Sequence, residues 1–466
     1  MPKLYLFCIG GTGCRVLRSF TMMMAAGVDI NVDEIVPIII DPDTANADRT
    51  RAISLLQTYN AIRSKLSFSE EIPTRFFRKE ISQAMPDYSL RIQGTVNKTF
   101  QQFIDLSSMD NPTQAFVRML FSEKNLSSNM DVGFKGNPNM GSVVLNQIVA
   151  SEDFEAFANN FSEEDKIFII SSIFGGTGAS GFPLLLNTLR TGGNFPNFNI
   201  INNAEIGAIT ILPYFKLKSD EESEIDSSTF ISKTKSALAY YEKNIYQNGF
   251  INALYYLADD MANTYANHEG GSAQRNNAHL IEFLAATAIV DFCAKQYAIP
   301  TNKELGLKDL ADGVVTFSSF YSQQRNLLFA PLTMFTMVAN LITNKMTYYS
   351  SSQFNANYEN FKDFYNGTFM ADLQSIAQKY LEWLQEMKDN KRSLSLFNVN
   401  TGDNPFDVVT DIKPKKIRSI KSNYDLVTAR LNSAVKKCKS KQDEDKFLEM
   451  LYLGFSRLVK EKLTEN

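Results

Sequence analysis

Leu4-Tyr5-Leu6-Phe7-Cys8-Ile9 runs straight into Gly10-Gly11-Thr12-Gly13. About 165 residues later, Ile167-Phe168-Ile169-Ile170 leads into Gly175-Gly176-Thr177-Gly178-Ala179-Ser180-Gly181. Each stretch is a buried-strand pattern, then glycines, then a helical pattern. Glycines in that place bare backbone N–H groups at a helix N-terminus, which attract an anion. Two such motifs, with Thr in the same position after a glycine pair, predict a nucleotide held at its phosphates from two sides. The dinucleotide fingerprint is not met, because Val16 stands where its third glycine belongs.

Working outward, Ile35-Val36-Pro37-Ile38-Ile39-Ile40 reads as a second strand, apolar on both faces as in a parallel sheet covered by helices. It ends in Asp41-Pro42-Asp43, at the carboxyl edge where α/β sheets place ligands. Asp41 and Asp43 also suit the start of a helix near Thr44, as caps. Further strands are expected at Ile206–Leu212 and Ala253–Leu257, alternating with helices. That alternation predicts a doubly wound α/β sheet. Residues 48–130 are polar and weakly patterned, and read as a peripheral helical insertion. Gly133–Gly141 is a third glycine-rich turn before a helix. Residues 277–298 read as a long helix, apolar all round and therefore buried, although Glu282 and Asp291 interrupt it. The expected domains are a nucleotide-binding domain over 1–276, the core helix 277–298, a smaller α+β domain over 299–400 and a helical region over 401–466.

Composition narrows the classes. The chain has 466 residues, 44% hydrophobic and 21% charged, with a formal net charge of −4. No basic surplus is present to meet a nucleic-acid backbone. Four scattered cysteines and two histidines, His268 and His279, offer no zinc spacing. Free thiols and an N-terminus that begins with a strand predict a cytoplasmic protein. Residues 326–344 carry no charge and nearly reach membrane-spanning length, but Pro331 and Asn340 favour a buried core helix. Lysines at 413–421 and 436–441 make the C-terminal region basic, as either a solvated surface or a contact for an acidic protein partner.

The order of these motifs resembles the tubulin/FtsZ superfamily over roughly residues 1–300, and more narrowly its divergent bacterial tubulin-like members. The resemblance rests on Gly10–Gly13, Asp41 to Asp43, the turn Gly133–Gly141, Phe174-Gly175-Gly176-Thr177-Gly178-Ala179-Ser180, and the apolar helix from Asn277. It implies GTP, with ATP as the alternative, together with Mg²⁺. By position, Gly10, Gly11, Thr12 and Gly13 would meet the phosphates through N–H groups, and Gly175, Gly176, Thr177, Gly178, Ala179 and Ser180 would cradle them. Asp41 and Asp43 would contact the nucleotide, with Asp43 near its sugar or its Mg²⁺. Pro213 and Tyr214 would begin the loop near the ribose, and Asn277 would read the base. The resemblance also implies head-to-tail assembly in which one copy completes the next copy's site.

This sequence departs from the family pattern in two places. Phe174 replaces the first signature glycine, and a side chain of that size is expected to face the core. The family's usual acidic loop after the central helix is absent, and Glu304, Asp309 and Asp312 are the nearest candidates for orienting water in GTP hydrolysis. Asn277 also reads as a helix cap, His279 as a core histidine, and the three acids as a solvated face. Two other functions fit the same loops: a nucleotide-sensing interaction protein without turnover, and an adenylyltransferase of the ubiquitin-activating kind.

Overall fold

The computed structural model describes residues 2–130, 133–134, 136–217, 227–259, 263–265, 271–273, 275–295, 301–304, 313–346, 361, 364–416 and 422–463. Its strands are β1 (Lys3–Ile9), β2 (Glu34–Ile40), β3 (Glu80–Ile81), β4 (Lys166–Ser172), β5 (Glu205–Ile211), β6 (Phe215–Leu217), β7 (Ala253–Leu257), β8 (Asn263–Tyr265) and β9 (Thr301–Glu304). Seven of them form one parallel sheet in the order β3-β2-β1-β4-β5-β7-β9, and β6 pairs with β8 apart from it. Six of the seven residues in each of β1, β2, β4 and β5 are buried, so these strands read as apolar runs without alternation.

The longer helices are α1 (Gly10–Ala25), α2 (Ala47–Arg63), α3 (Asn111–Leu120), α4 (Pro138–Leu145), α5 (Glu152–Asn159) and α6 (Gly176–Thr191). They continue with α7 (Ser227–Tyr241), α8 (Leu280–Cys293), α9 (Ser322–Asn344), α10 (Thr368–Asp389), α11 (Asn423–Val435) and α12 (Asp443–Lys462). From β1 the chain winds one way through β2 to β3, then returns to β4 and winds the other way. Right-handed crossovers in opposite directions place α1 and α6 on opposite faces of the sheet. The point where the winding reverses lies between β1 and β4.

The structure departs from the sequence expectation in particular stretches. Within 48–130, α2 packs on α1 and β3 extends the sheet beside β2, so this part is core rather than periphery. Helix α3 buries no residue and does lie at the surface. The central helix α8 is shorter than 277–298, because His279 caps it and the helix stops at Cys293. Its residues are buried apart from Asp291, which bonds the Tyr255 hydroxyl (2.9 Å). Val315 makes a single bridge to Leu394. Of residues 299–400, β9 joins the main sheet, and Trp383 of α10 donates its indole N–H to Ser19 of α1 (3.1 Å) and stacks on Phe283 of α8. Helix α9 is long and apolar enough to cross a bilayer by length and composition, yet 67% of its most apolar window is buried inside the fold. It packs there against α10 and α12.

Candidate functional site

The two glycine motifs leave neighbouring strands. Leu4 to Cys8 of β1 pair in register with Lys166 to Ile170 of β4, so the motifs emerge side by side at the carboxyl edge, at the reversal point where open α/β sheets bind ligands. The glycines do not form loops before the helices; they are the first turns of α1 and α6. Sterics explain the tight turn. A Cβ on Gly13 would lie 2.6 Å from the Cys8 carbonyl carbon, and one on Gly178 would lie 2.6 Å from the Ser172 carbonyl oxygen. Gly10 has φ +69°, which L side chains rarely adopt. The motifs also meet: a Cβ on Gly10 would lie 3.5 Å from Cβ of Thr177.

Neither α1 nor α6 has a side-chain cap; Ile9 and Gly175 stand at their N-cap positions. By contrast, Asn46 caps α2, Asn137 caps α4 and Ser151 caps α5. The first N–H groups of a helix have no intrahelical acceptor. Here two such sets adjoin, with the positive ends of two helix dipoles behind them. This arrangement can hold an anionic group without any cationic side chain. The third glycine turn covers the second motif, since a Cβ on Gly176 would lie 3.1 Å from the backbone nitrogens of Gly136 and Asn137.

No protein-family model matches this chain, and no curated protein does either. Among solved structures the chain is similar to CetZ2 from Haloferax volcanii, a GTPγS-bound protofilament, at 13% identity. That match covers 63% of this chain and 58% of the other, with a TM-score of 0.31. It is also similar to CetZ1 from Haloferax volcanii, a GDP-bound monomer, at 14% identity over 64% of this chain and 62% of that one, with a TM-score of 0.30. A third is CetZ from Methanosaeta thermophila, at 14% identity over 63% of this chain and 52% of that one, with a TM-score of 0.27. The chain thus covers less than two thirds of the length of each.

The remaining predicted residues fall in different places. Asp41, Asp43 and the segment before α8 gather beside the first motif. The Asp43 carboxylate is buried and accepts from Ala45 N–H (3.2 Å) and Gly271 N–H (2.6 Å). Asn46, not an aspartate, caps the following helix. Asp43 is thus engaged by two N–H groups, and no cluster of three His, Cys, Asp or Glu is present among the described residues. Asn277 is exposed, two residues before the cap of α8, and that cap is His279.

Ala179 and Ser180 lie one turn further along α6. Together with Gly175 they line a cleft on the α4 and α7 side of α6, and the Ser180 hydroxyl donates to the Gly176 carbonyl (2.7 Å). Phe174 is buried against Tyr214 and Phe215, as its size predicts. Pro213 is half-buried; Tyr214 is fully buried and belongs to a charged network described next. The backbone of Glu304 lies in β9, while Asp309 and Asp312 fall outside the described residues.

That network is what the sequence reading missed. Arg15, in the second turn of α1, donates to Glu282 (2.6 Å), Asp48 (2.9 Å), the Tyr214 hydroxyl (2.9 Å) and the Thr12 hydroxyl (3.2 Å). Tyr214 in turn donates to Glu282 (2.9 Å). Asp48 also accepts from Asn276 N–H (3.2 Å), and Glu386 of α10 binds Arg18, Arg51 and Ala278 N–H. Three arginines and three carboxylates thus join α1, α2, α8 and α10. His279 accepts from Ile281 N–H through Nδ1 (3.1 Å), and burial lowers its pKa to about 4, so it stays neutral. A usable signal was present: an arginine and a glutamate in otherwise apolar helices need partners.

Asp41 supplies a pH test. Burial pushes its pKa up to about 7; the Asp43 N–H pulls it down and the Asp43 carboxylate pushes it up. The folded value lies above the unfolded one, so the folded state holds this proton more tightly. Its stabilising contribution is present below about pH 4 and is lost as pH rises through about 7. Asp41→Asn is expected to remove that loss, making the variant more stable than wild type at pH 8 by about 1–2 kcal/mol after allowance for solvent screening. Thermal melts from pH 5 to pH 8 read it, and parallel curves for the two proteins would contradict it.

Proposed function

We propose that this chain is a cytoplasmic tubulin-like GTP-binding protein that holds the nucleotide's phosphates between the first turns of α1 and α6. Copies assemble head to tail with the nucleotide at the junction. The observation that carries the reading is the meeting of two uncapped glycine helix starts at the reversal point of the sheet. Two sets of N–H donors suit a chain of phosphates better than a single carboxylate, which one helix start already satisfies. A neighbouring copy closes over the ligand at the carboxyl edge of the sheet, where both motifs emerge. A contact between unlike surfaces propagates into a filament.

Purified protein incubated with GTP, ATP or neither tests this. Retention of GTP with micromolar affinity is expected, with sedimentation of large species and phosphate release only in GTP. Failure to retain either nucleotide overturns the reading.

A second reading is favoured by the Arg15 network, which ties Thr12 of the first motif to the central helix. Occupancy of the motif is then a conformational signal to α8 without turnover. GTP retention without phosphate release selects it.

A further inference from the structure

The stretch that leads into α8 is held by side chains. Residues 275–279 belong to no helix or strand, so their backbone groups need partners from elsewhere. Asp48 accepts from Asn276 N–H (3.2 Å) and from the Asn276 side-chain amide (3.3 Å), and Arg51 donates to the Asn276 carbonyl (3.0 Å). Two residues on, Glu386 accepts from Ala278 N–H (2.9 Å) and Asn390 donates to the Ala278 carbonyl. Asn390 also donates to the Glu386 carbonyl (3.0 Å), which steadies its amide. Both backbone groups of Asn276 and of Ala278 are thus met, by the start of α2 and by the C-terminal end of α10.

Asn277, between these two clamps, is exposed. Among the described residues nothing bonds its N–H, its carbonyl or its side-chain amide. Exposed connecting segments are ordinarily mobile; this residue is fixed on both sides and leaves its donors and acceptors open. It stands beside the first glycine motif. Asp48, which holds Asn276, accepts from Arg15 (2.9 Å), and Arg15 Nη1 lies 3.7 Å from where a Cβ on Gly11 would be. Gly271, just upstream, donates to Asp43 (2.6 Å). The opposite side of the site is occupied, because the turn at Gly136 and Asn137 abuts Gly176. A nucleotide with its phosphates at the two helix starts therefore extends its nucleoside along the α2 side.

Resting on the nucleotide reading above, we infer that Arg51, Glu386 and Asn390 are positioning residues for the nucleoside part of the ligand. They touch Asn276 and Ala278, and through them hold Asn277 against the nucleoside. An amide side chain, a peptide N–H and a peptide C=O form neutral hydrogen bonds, suited to a base edge or to sugar hydroxyls rather than to phosphates. Fixing their direction before the ligand arrives avoids the ordering cost that a mobile segment incurs on binding. Helix α10, from the region after the central helix, thereby takes part in ligand affinity without contacting the ligand.

Equilibrium binding of GTP and of inorganic tripolyphosphate to the full chain tests the clamp, since tripolyphosphate has the phosphates and no nucleoside. Asn390→Ala acts at a half-buried helix end and Arg51→Met keeps the aliphatic stem, so both are expected to keep the wild-type circular dichroism spectrum. Each is expected to bind GTP about tenfold more weakly while binding tripolyphosphate within about twofold of wild type. Asn277→Ala should show the same split. The double variant Asn277→Ala/Asn390→Ala should be no weaker than Asn277→Ala alone, because the clamp acts only through Asn277. Equal losses for the two ligands, unchanged GTP affinity in Asn390→Ala, or losses that add in the double variant each overturn the inference. Wild type that binds tripolyphosphate and holds GTP no more tightly overturns it too, and leaves the phosphate site standing. Wild type that retains neither ligand overturns the nucleotide reading and this inference together.

Discussion

Glu282→Ala is expected to lower the free energy of unfolding by about 3–5 kcal/mol, the cost of breaking a buried ion pair by removing one partner. Glu282 is 1% exposed and accepts from Arg15, Tyr214 and His279 N–H. Its loss leaves the three-arginine cluster with only Asp48 and Glu386 as acids, and strands one positive charge among apolar helices. Arg15 has little room to swing toward water, because Thr12 and Asp48 hold its other nitrogens. Glu282→Gln retains an acceptor of the same shape, and its loss should be clearly smaller. Urea titration of the three proteins measures this, with the slope held equal as a check that the unfolded state is unchanged. A loss below about 1 kcal/mol for the alanine variant would mean that Arg15 is not committed to α8.

The same residues show what could and could not be read in the sequence. β1, β2, β4, β5 and β7 announce themselves because strands covered on both faces have no polar side, and a short apolar run bounded by turn residues is then distinctive. The edges are silent. β3 has two residues, and β9 is Thr301-Asn302-Lys303-Glu304, so neither supplies an apolar run. Helix α2 was hidden for a related reason. Its residues Asp48 and Arg49 are buried through partners contributed by α1, the 276 region and Ser89, and a paired charge looks solvent-facing until its partner is known. The glycine motifs were legible as strand-to-helix connections, but their joint position was not. That depends on β1 and β4 being neighbours, a pairing between strands more than 150 residues apart. Ala179 and Ser180, one helical turn beyond Gly175 and Gly176, line a cleft on the α4 and α7 side that Gly175 also lines.

Thr177→Trp is expected to weaken nucleotide binding about 100-fold or more, equivalent to roughly 2.7 kcal/mol, while shifting the melting temperature little. Thr177 is half-buried in the first turn of α6, and its Cβ is the nearest atom to the space above Gly10. An indole there occupies the gap between the two helix starts, where the phosphates must lie to meet both sets of N–H groups. The fold has no comparable stake in the position, since the half-buried side chain lies at the carboxyl edge and not within the sheet layers. Thr177→Ser is the matched control. It keeps the small polar side chain, leaves the gap open, and should bind GTP within about threefold of wild type. Equilibrium binding of GTP to the three proteins, with melts run in parallel, reads both effects. Unchanged affinity in the tryptophan variant would show that the phosphates do not lie between α1 and α6. An equal loss in the serine variant would instead assign the effect to the threonine methyl group and remove the steric argument.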